Sequence, residues 1–145
     1  FHNCGAYAEL LSHEMVRSIK DVYRDREFDL VTCVPMHKDT LRKRGYNQAE
    51  LLAKECARLL GIEYADLLAK TKKNKTQHSI KAAERAKNVI GVYSPIDKNL
   101  IKGKRILIID DIITTGSTLG ECARILNKCK CGEICCCTLC TSLLI

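Results

Sequence analysis

Two adjacent carboxylates, Asp110 and Asp111, follow a run of four apolar residues and precede a segment rich in hydroxyl groups. The apolar run, Ile106–Ile109, predicts a buried central strand, and a helix is expected to begin at about Ser117. Ionised carboxylates only accept hydrogen bonds, so this pair suits the hydroxyl groups of a sugar better than it suits a phosphate.

The segment after the carboxylates has the composition of a phosphate-binding turn. A helix N-terminus offers unpaired N–H groups and the positive end of a dipole, and Gly116 allows the backbone to approach an anion closely. The residues expected to contact the phosphate are Thr114, Thr115, Gly116, Ser117 and Thr118. The segment therefore predicts a sugar-phosphate ligand, whereas the glycine spacings of P-loop and Rossmann motifs are absent from it. A surface turn with an incidental acid pair is the alternative, and it fits poorly because both charges end an apolar strand.

The basic residues are concentrated in two segments of a chain whose formal net charge is +7. Residues 70–87 contain seven Lys and Arg against one Glu, and residues 38–44 contain four against one Asp. Such focused positive charge suits a polyanionic ligand, either a small phosphate ester or nucleic acid. A solvated loop is the alternative for the longer segment.

Helical and strand patterns alternate along the chain. This order predicts one α/β domain over residues 1–145, with a parallel-sheet core, flanking helices and a flexible basic loop at 70–87. In such sheets, ligands bind at the carboxyl ends of the strands. The other expected elements are a helix at 6–23, a strand at 28–34, a helix capped by Asn47 with Glu50 and ended by Gly61, a return strand at 89–93, a helix that includes Leu119–Leu126 and a last strand at 133–140.

Six of the ten cysteines lie between residues 129 and 140. A zinc site would need several of them on one side, but successive residues of a strand point to opposite faces, so Cys135, Cys136 and Cys137 cannot all face one metal. We expect free cysteines that fill the core, with a metal site as the alternative. No apolar run is long enough to span a membrane and no signal peptide is visible, which predicts a cytoplasmic protein.

Residues 106–118 resemble the phosphoribosyl-pyrophosphate (PRPP) motif of type I phosphoribosyltransferases. Residues 34–51, which include the run KRGYNQAEL, resemble the ComF-like branch of that family, named from competence proteins. The same branch is indicated by Thr76, Gln77, Arg85, Asn88 and Gly91 at their spacing. The resemblance covers roughly residues 28–140. ComF-like proteins often carry an N-terminal cysteine-rich zinc module, and with only Cys4 near the start we expect that module to be absent from this chain.

The resemblance implies a role for each matching segment. It assigns the ribose hydroxyls to Asp110 and Asp111 and the 5′-phosphate to Thr114–Thr118. It assigns pyrophosphate to Met36, His37, Lys38 and Arg44, although a surface charge at a helix end is an equal alternative for Arg44. The mobile-loop candidates are Lys72, Lys73, Lys75, Gln77 and Arg85. Mg²⁺ is implied as a cofactor carried mainly by PRPP.

The implied activity is transfer of a phosphoribosyl group from PRPP to an acceptor, with release of pyrophosphate. The sequence does not identify the acceptor or the oligomeric state. Thr114 stands where relatives that use 6-oxopurines often have an acid/base Asp, which disfavours a hypoxanthine–guanine enzyme. One alternative is a non-catalytic regulator that binds PRPP or a nucleotide. Another is a component of competence-related DNA uptake that contacts single-stranded DNA or competence proteins, although Trp is absent and aromatic residues for base stacking are few.

Overall fold

The computed structural model describes residues 4–72 and 89–141, with side chains described from residue 7. The predicted α/β fold with a parallel-sheet core and flanking helices is confirmed. The helices are α1 (Cys4–Val22), α2 (Lys38–Arg44), α3 (Gln48–Leu60), α4 (Lys98–Ile101) and α5 (Ser117–Lys128). The strands are β1 (Leu30–Cys33), β2 (Glu63–Tyr64), β3 (Leu68–Lys70), β4 (Tyr93–Pro95), β5 (Arg105–Ile113) and β6 (Glu133–Thr141).

The main sheet has four parallel strands in the order β2-β1-β5-β6. Leu30 pairs with Ile106 and Cys33 with Ile109, so β1 and β5 run side by side toward the same edge. Beyond β1, the strand β5 continues to Ile113 beside β6. The carboxylates Asp110 and Asp111 therefore lie at the edge of the sheet where β1 ends, as the parallel arrangement predicts.

The two faces of the sheet carry separate hydrophobic cores. Ile106 and Ile108 pack with α5 and the β3–β4 hairpin on one face, whereas Leu107 and Ile109 pack with α1 and α3 on the other. All four side chains are fully buried. Because side chains alternate along β5, this pattern determines the face toward which each later side chain of the strand points.

The two caps predicted from sequence for α3, Asn47 and Gly61, are confirmed. Asn47 accepts a hydrogen bond from the Ala49 N–H (3.2 Å), and Gly61 ends the helix at φ 69°. The Glu50 carboxylate pairs with Lys54 one turn further on, at 2.6 Å. The helix is thus capped by Asn47, while Glu50 contributes an ion pair on its surface.

Several predicted boundaries were wrong. The strand expected at 28–34 is shorter (Leu30–Cys33), and residues 89–92 form a turn, so that the return strand begins only at Tyr93. The central strand expected at 106–109 extends through both carboxylates to Ile113, because β6 supplies pairing partners as far as Thr141. Four short elements (α2, β2, β3 and α4) were not predicted, since segments of two to seven residues show little periodicity.

The basic segment 70–87 begins inside the described structure and then leaves it. Lys70 is the last residue of β3, and it pairs across the hairpin with Tyr93 of β4. Lys72 is exposed. Lys73, Lys75, Gln77 and Arg85 lie outside the described residues.

The cysteines of β6 divide between the two faces as expected. Cys135 and Cys137 pack toward α1 and α3, and Cys136 packs on the α5 face. Burial raises the pKa of the Cys136 thiol to about 11, which keeps it protonated and unreactive. Within residues 4–72 and 89–141, no group of three or more His, Cys, Asp or Glu side chains is placed to hold a metal ion. None of the described helices is long and apolar enough to cross a membrane.

Candidate functional site

A cleft of about 340 Å³ opens at the carboxyl ends of β1 and β5. It brings together the carboxylate pair, the loop after β1, the end of α2 and the β3–β4 hairpin. The residues that line it are Val34, Pro35, Met36, His37, Thr40, Arg44, Asn47, Lys70, Tyr93, Asp110, Asp111, Ile112 and Thr118. Five predicted site residues from the loop, α2 and the carboxylate pair thus share one cleft, together with Thr118 from the predicted phosphate turn.

Asp110 and Asp111 differ in environment although they are neighbours. Asp110 is 8% exposed, and burial raises its pKa to about 7, helped by the adjacent Asp111 carboxylate. Its Oδ1 atom accepts a hydrogen bond from the Asp111 N–H (2.9 Å), while Asp111 Oδ1 accepts one from the Ile112 N–H (2.9 Å). Asp111 is only half-buried. The pair therefore offers one readily protonated acid inside the cleft and one more solvated acid at its rim.

The predicted phosphate turn joins β5 to α5. Gly116 occupies the capping position of α5 at φ 74°, a left-handed conformation that glycine adopts without strain. A glycine has no side chain to cap the helix, and the Ser117 N–H donates instead to the Thr115 hydroxyl at 3.4 Å. The Thr115 and Ser117 hydroxyls contact each other at 2.8 Å, and both Thr114 and Thr115 are exposed. A shallow hollow beside Asp110 is lined by this turn. It offers the hydroxyl and N–H donors that an anion needs.

The loop after β1 leads directly into α2. His37 caps that helix, because its Nδ1 atom accepts a hydrogen bond from the Asp39 N–H (3.2 Å). This leaves the proton on Nε2, where it is a donor for a ligand. Arg44, the last residue of α2, is exposed and lines the cleft. Lys38 is exposed in the first turn of α2 and does not line the cleft.

Sequence reasoning missed two cleft residues: Lys70, the first residue of the basic segment, and Tyr93, which follows the segment. The Lys70 ammonium lies 5.5 Å from the centre of the Tyr93 ring, a cation–π contact. Burial lowers the pKa of Lys70 below its ordinary value, and the nearby Asp110 charge opposes that shift. The signal that could have identified the pair was the short apolar stretch on each side of the segment, Leu67–Leu68 before it and Val92–Tyr93 after it, which indicates two paired strands.

Asn47 is the other residue that the sequence assigned only a capping role. It is buried, and its Nδ2 donates to the Val34 carbonyl at 3.1 Å while its Oδ1 caps α3. The side chain therefore joins the end of β1 to the start of α3. This contact holds the Val34–His37 loop against the cleft.

A family model described as "Phosphoribosyl transferase domain" matches residues 47–143. Competence protein F from Haemophilus influenzae is 32% identical over 129 residues, which cover 86% of this chain and 56% of that protein. DNA utilization protein YhgH from Escherichia coli K12 is 30% identical over 101 residues, covering 69% of this chain and 44% of YhgH. The chain spans about half the length of the curated relatives it matches.

Solved structures share the fold at low identity. The allosteric regulatory enzyme of purine biosynthesis aligns with a TM-score of 0.60 and 22% identity, covering 91% of this chain and 25% of that one. Adenine phosphoribosyltransferase from Saccharomyces cerevisiae aligns with a TM-score of 0.55 and 16% identity, covering 86% of this chain and 62% of the enzyme. The fold, the family match and the relatives agree with the motif at Asp110–Thr118, and this chain belongs to the ComF-like type I phosphoribosyltransferase family.

Proposed function

We propose that the chain binds PRPP in the cleft at the ends of β1 and β5 and transfers its phosphoribosyl group to an acceptor. The observation that carries the proposal is the convergence of a carboxylate pair, two cations (Arg44 and Lys70) and Thr118 on one cleft of about 340 Å³. The hollow of the hydroxyl-rich turn shares Asp110 and Thr118 with that cleft. Each part suits a different part of one sugar phosphate, and this explains why acidic and basic groups share the site.

In this proposal the ribose hydroxyls donate to the carboxylates of Asp110 and Asp111. The 5′-phosphate accepts from the Thr114–Thr118 turn and the first N–H groups of α5. Pyrophosphate lies against the loop after β1, where the Nε2–H of His37 and the guanidinium of Arg44 donate to it. Charged donors of this kind make the strongest hydrogen bonds to phosphate.

The reaction breaks the bond between C1 of the ribose and the pyrophosphate oxygen and forms a bond from C1 to the acceptor, which loses a proton. Positive charge develops on the ribose while negative charge gathers on pyrophosphate. Arg44 and Lys70 stabilise the leaving group, and the carboxylates hold the ring in place.

The donor chemistry of the cleft is compatible with Mg²⁺. Asp110 and Asp111 supply hard oxygen donors, and Mg²⁺ takes most of its remaining ligands from water and substrate phosphates. Bound with PRPP, the ion would offset the negative charge of the pyrophosphate group.

Thermal unfolding at increasing PRPP concentration, with Mg²⁺ present, tests the proposal. A ligand at 100 times its Kd stabilises the native state by about 2.7 kcal/mol, so the wild-type Tm should rise measurably. The double variant D110N/D111N should lose that rise. The matched control is D25N/D97N, which removes two exposed carboxylates away from the cleft and should keep the full rise. No Tm rise in the wild-type protein would contradict PRPP binding, and PRPP binding without pyrophosphate release for any nucleobase or amine acceptor would favour a non-catalytic regulator.

A second candidate is a role in DNA handling, favoured by the names of the relatives, Competence protein F and DNA utilization protein YhgH. The basic residues of segments 38–44 and 70–87 would contact the phosphates of single-stranded DNA. Such binding should weaken steeply with salt. A labelled oligonucleotide that does not bind at low salt, or whose affinity does not change with salt, would contradict direct contact.

A further inference from the structure

Tyr93 lines the cleft beside Asp110, yet it has no part in the sugar-phosphate contacts proposed above. It is only 6% exposed and packs in the core that includes Leu119 and Cys122. A buried phenol needs a hydrogen-bond partner, because its hydroxyl has lost its bonds to water. The ring and the hydroxyl of Tyr93 contact two different neighbours, and both neighbours line the same cleft.

The ring of Tyr93 holds the Lys70 side chain. The two residues are directly opposite each other in the β3–β4 pairing, so their side chains leave the hairpin on the same face. The Lys70 Nζ atom lies 5.5 Å from the centre of the ring. The negative face of the ring attracts the ammonium but does not neutralise it, as a carboxylate would. The charge of Lys70 is thus fixed in place and remains able to attract an anion.

The hydroxyl of Tyr93 contacts the phosphate turn. It forms a hydrogen bond with the side chain of Thr118, the second residue of α5. Burial raises the pKa of Tyr93 above its ordinary value, so the phenol keeps its proton and can donate to Thr118 Oγ1. The Thr118 proton then remains available to a ligand. Because Thr118 lines both the cleft and the hollow of the turn, this bond fixes a donor between them.

The backbone beside Tyr93 is tied to the same helix. The Gly91 N–H donates to the Glu121 carboxylate of α5 over 3.0 Å. Glu121 is buried, and Arg124 compensates its charge at 2.6 Å. A side chain that positions others has to be fixed itself, and this contact anchors the start of β4 to the helix that carries Thr118.

We propose that Tyr93 is a positioning residue of the site, whose ring holds Lys70 for pyrophosphate and whose hydroxyl holds Thr118 for the 5′-phosphate. The inference rests on the proposed function, because it assumes that PRPP occupies the cleft. It adds that one uncharged side chain acts through two other residues and sets the affinity for both ends of the substrate.

Isothermal titration with two fragments of PRPP separates the two halves of Tyr93. Ribose 5-phosphate probes the phosphate turn, and pyrophosphate with Mg²⁺ probes Lys70. Y93F keeps the ring and removes the hydroxyl, so ribose 5-phosphate should bind about threefold or more weakly, while the pyrophosphate affinity stays within about twofold.

Y93M removes the ring as well, while its flexible side chain fills the same space. Both fragments should then bind about threefold or more weakly. Recovery of the pyrophosphate affinity by Phe, without recovery of the ribose 5-phosphate affinity, is a result that general loosening of the core would not give. The double variant K70M/Y93M should bind pyrophosphate no more weakly than K70M, since both changes remove the same contact.

Tyr23 supplies the matched controls. Its hydroxyl donates to the Cys136 carbonyl at 2.9 Å, and its ring packs edge to face on Phe28 with the ring centres 5.8 Å apart, away from the cleft. Y23F and Y23M should therefore keep both affinities. Circular dichroism checks that all variants are folded.

A measurement on the wild-type protein tests the ring contact even if Y93M does not fold. The ring current of Tyr93 should shift the resonance of the Lys70 ε-methylene protons upfield from that of Lys98, which is exposed on α4. Two-dimensional ¹H–¹³C spectra with assigned lysines measure this difference.

Two results would overturn the inference and leave the proposed function intact. An unchanged ribose 5-phosphate affinity in Y93F would exclude the positioning of Thr118. An unchanged pyrophosphate affinity in folded Y93M, or a Lys70 resonance at the position of Lys98, would exclude the positioning of Lys70. Failure of both fragments to bind the folded wild-type protein would contradict the proposed function and this inference with it.

Discussion

The Asp111 N–H donates to the Asp110 carboxylate over 2.9 Å, yet the two side chains leave the strand on opposite faces of the sheet. Asp110 faces Lys70 and Tyr93 in the cleft. Asp111 also lines a second cavity, which α1, α3 and the end of β6 form on the other face of the sheet. One strand end therefore presents an acid to each face. The burial of Asp110 has a measurable thermodynamic consequence.

The contribution of Asp110 to the stability of the protein should fall as the pH rises from about 4 to about 7. Burial raises the native pKa of Asp110 to about 7, whereas an Asp in an unfolded chain titrates near 3.9. The native state binds more protons in that window, so the free energy of unfolding decreases by up to about 1.4 kcal/mol per pH unit. D110N removes this dependence, so its advantage over wild type in urea denaturation should grow from about 1 kcal/mol at pH 5 to about 4 kcal/mol at pH 7.

D111N is the control for that measurement. Because burial is the largest cause of the raised pKa at Asp110, most of the pH dependence should survive the loss of the Asp111 charge. An equal pH profile for wild type and D110N would show that Asp110 is ionised in the native state throughout the range.

Two glycines near the start of α5 should respond in opposite directions to alanine. Gly116 has φ 74°, and a Cβ there would lie 3.8 Å from Ile113 Cδ1, so G116A fits sterically but costs about 1 kcal/mol of backbone strain. Gly120 lies inside the helix with open space around it, and G120A should stabilise the protein by about 0.5 to 1 kcal/mol. Chemical denaturation of both variants measures the difference. Stabilisation by G116A would mean that the turn does not hold its left-handed conformation in solution.

Loss of the Asn47 side chain should affect both stability and ligand binding. N47A removes the cap of α3 and the donor to the Val34 carbonyl, for an expected cost of about 2 kcal/mol in the free energy of unfolding. The loop after β1 would also lose its anchor, so the affinity for PRPP should fall. D97A removes the exposed cap of α4 at 2.8 Å and should cost only about 1 kcal/mol, with PRPP affinity retained. Equal effects of both variants on PRPP affinity would contradict an anchoring role for Asn47.

Lys70 should contribute to the affinity for pyrophosphate, although it lies outside the PRPP motif at residues 106–118. K70M keeps the apolar stem of the side chain but removes a half-buried charge from the cleft. Pyrophosphate binding should weaken by roughly tenfold or more, because a hydrogen bond to a charged group contributes about 1.5–3 kcal/mol. K98M removes an exposed charge on α4 and serves as the matched control. Titration calorimetry with pyrophosphate and Mg²⁺ measures both. An unchanged Kd for K70M would exclude a direct contact.

The sequence predicted the parts of the site that local patterns encode. Periodic apolar residues identified α3 and α5, and the apolar run before Asp110 identified the central strand. Lys70 and Tyr93 were not recognised as site residues, because they meet only through the β3–β4 pairing across a long basic segment. The cavity that Asp111 shares with Tyr7, Leu51 and Leu139 was not predicted either, because these residues come from distant parts of the chain and meet only in the folded protein.

Because the residues of β5 alternate between the two faces of the sheet, Asp110 and Asp111 have different neighbours. Substitutions on α1 and α3 change the surface beyond Asp111, while the residues that surround Asp110 belong to α5 and the β3–β4 hairpin. Related sequences can therefore diverge on one side of the sheet without disturbing the other.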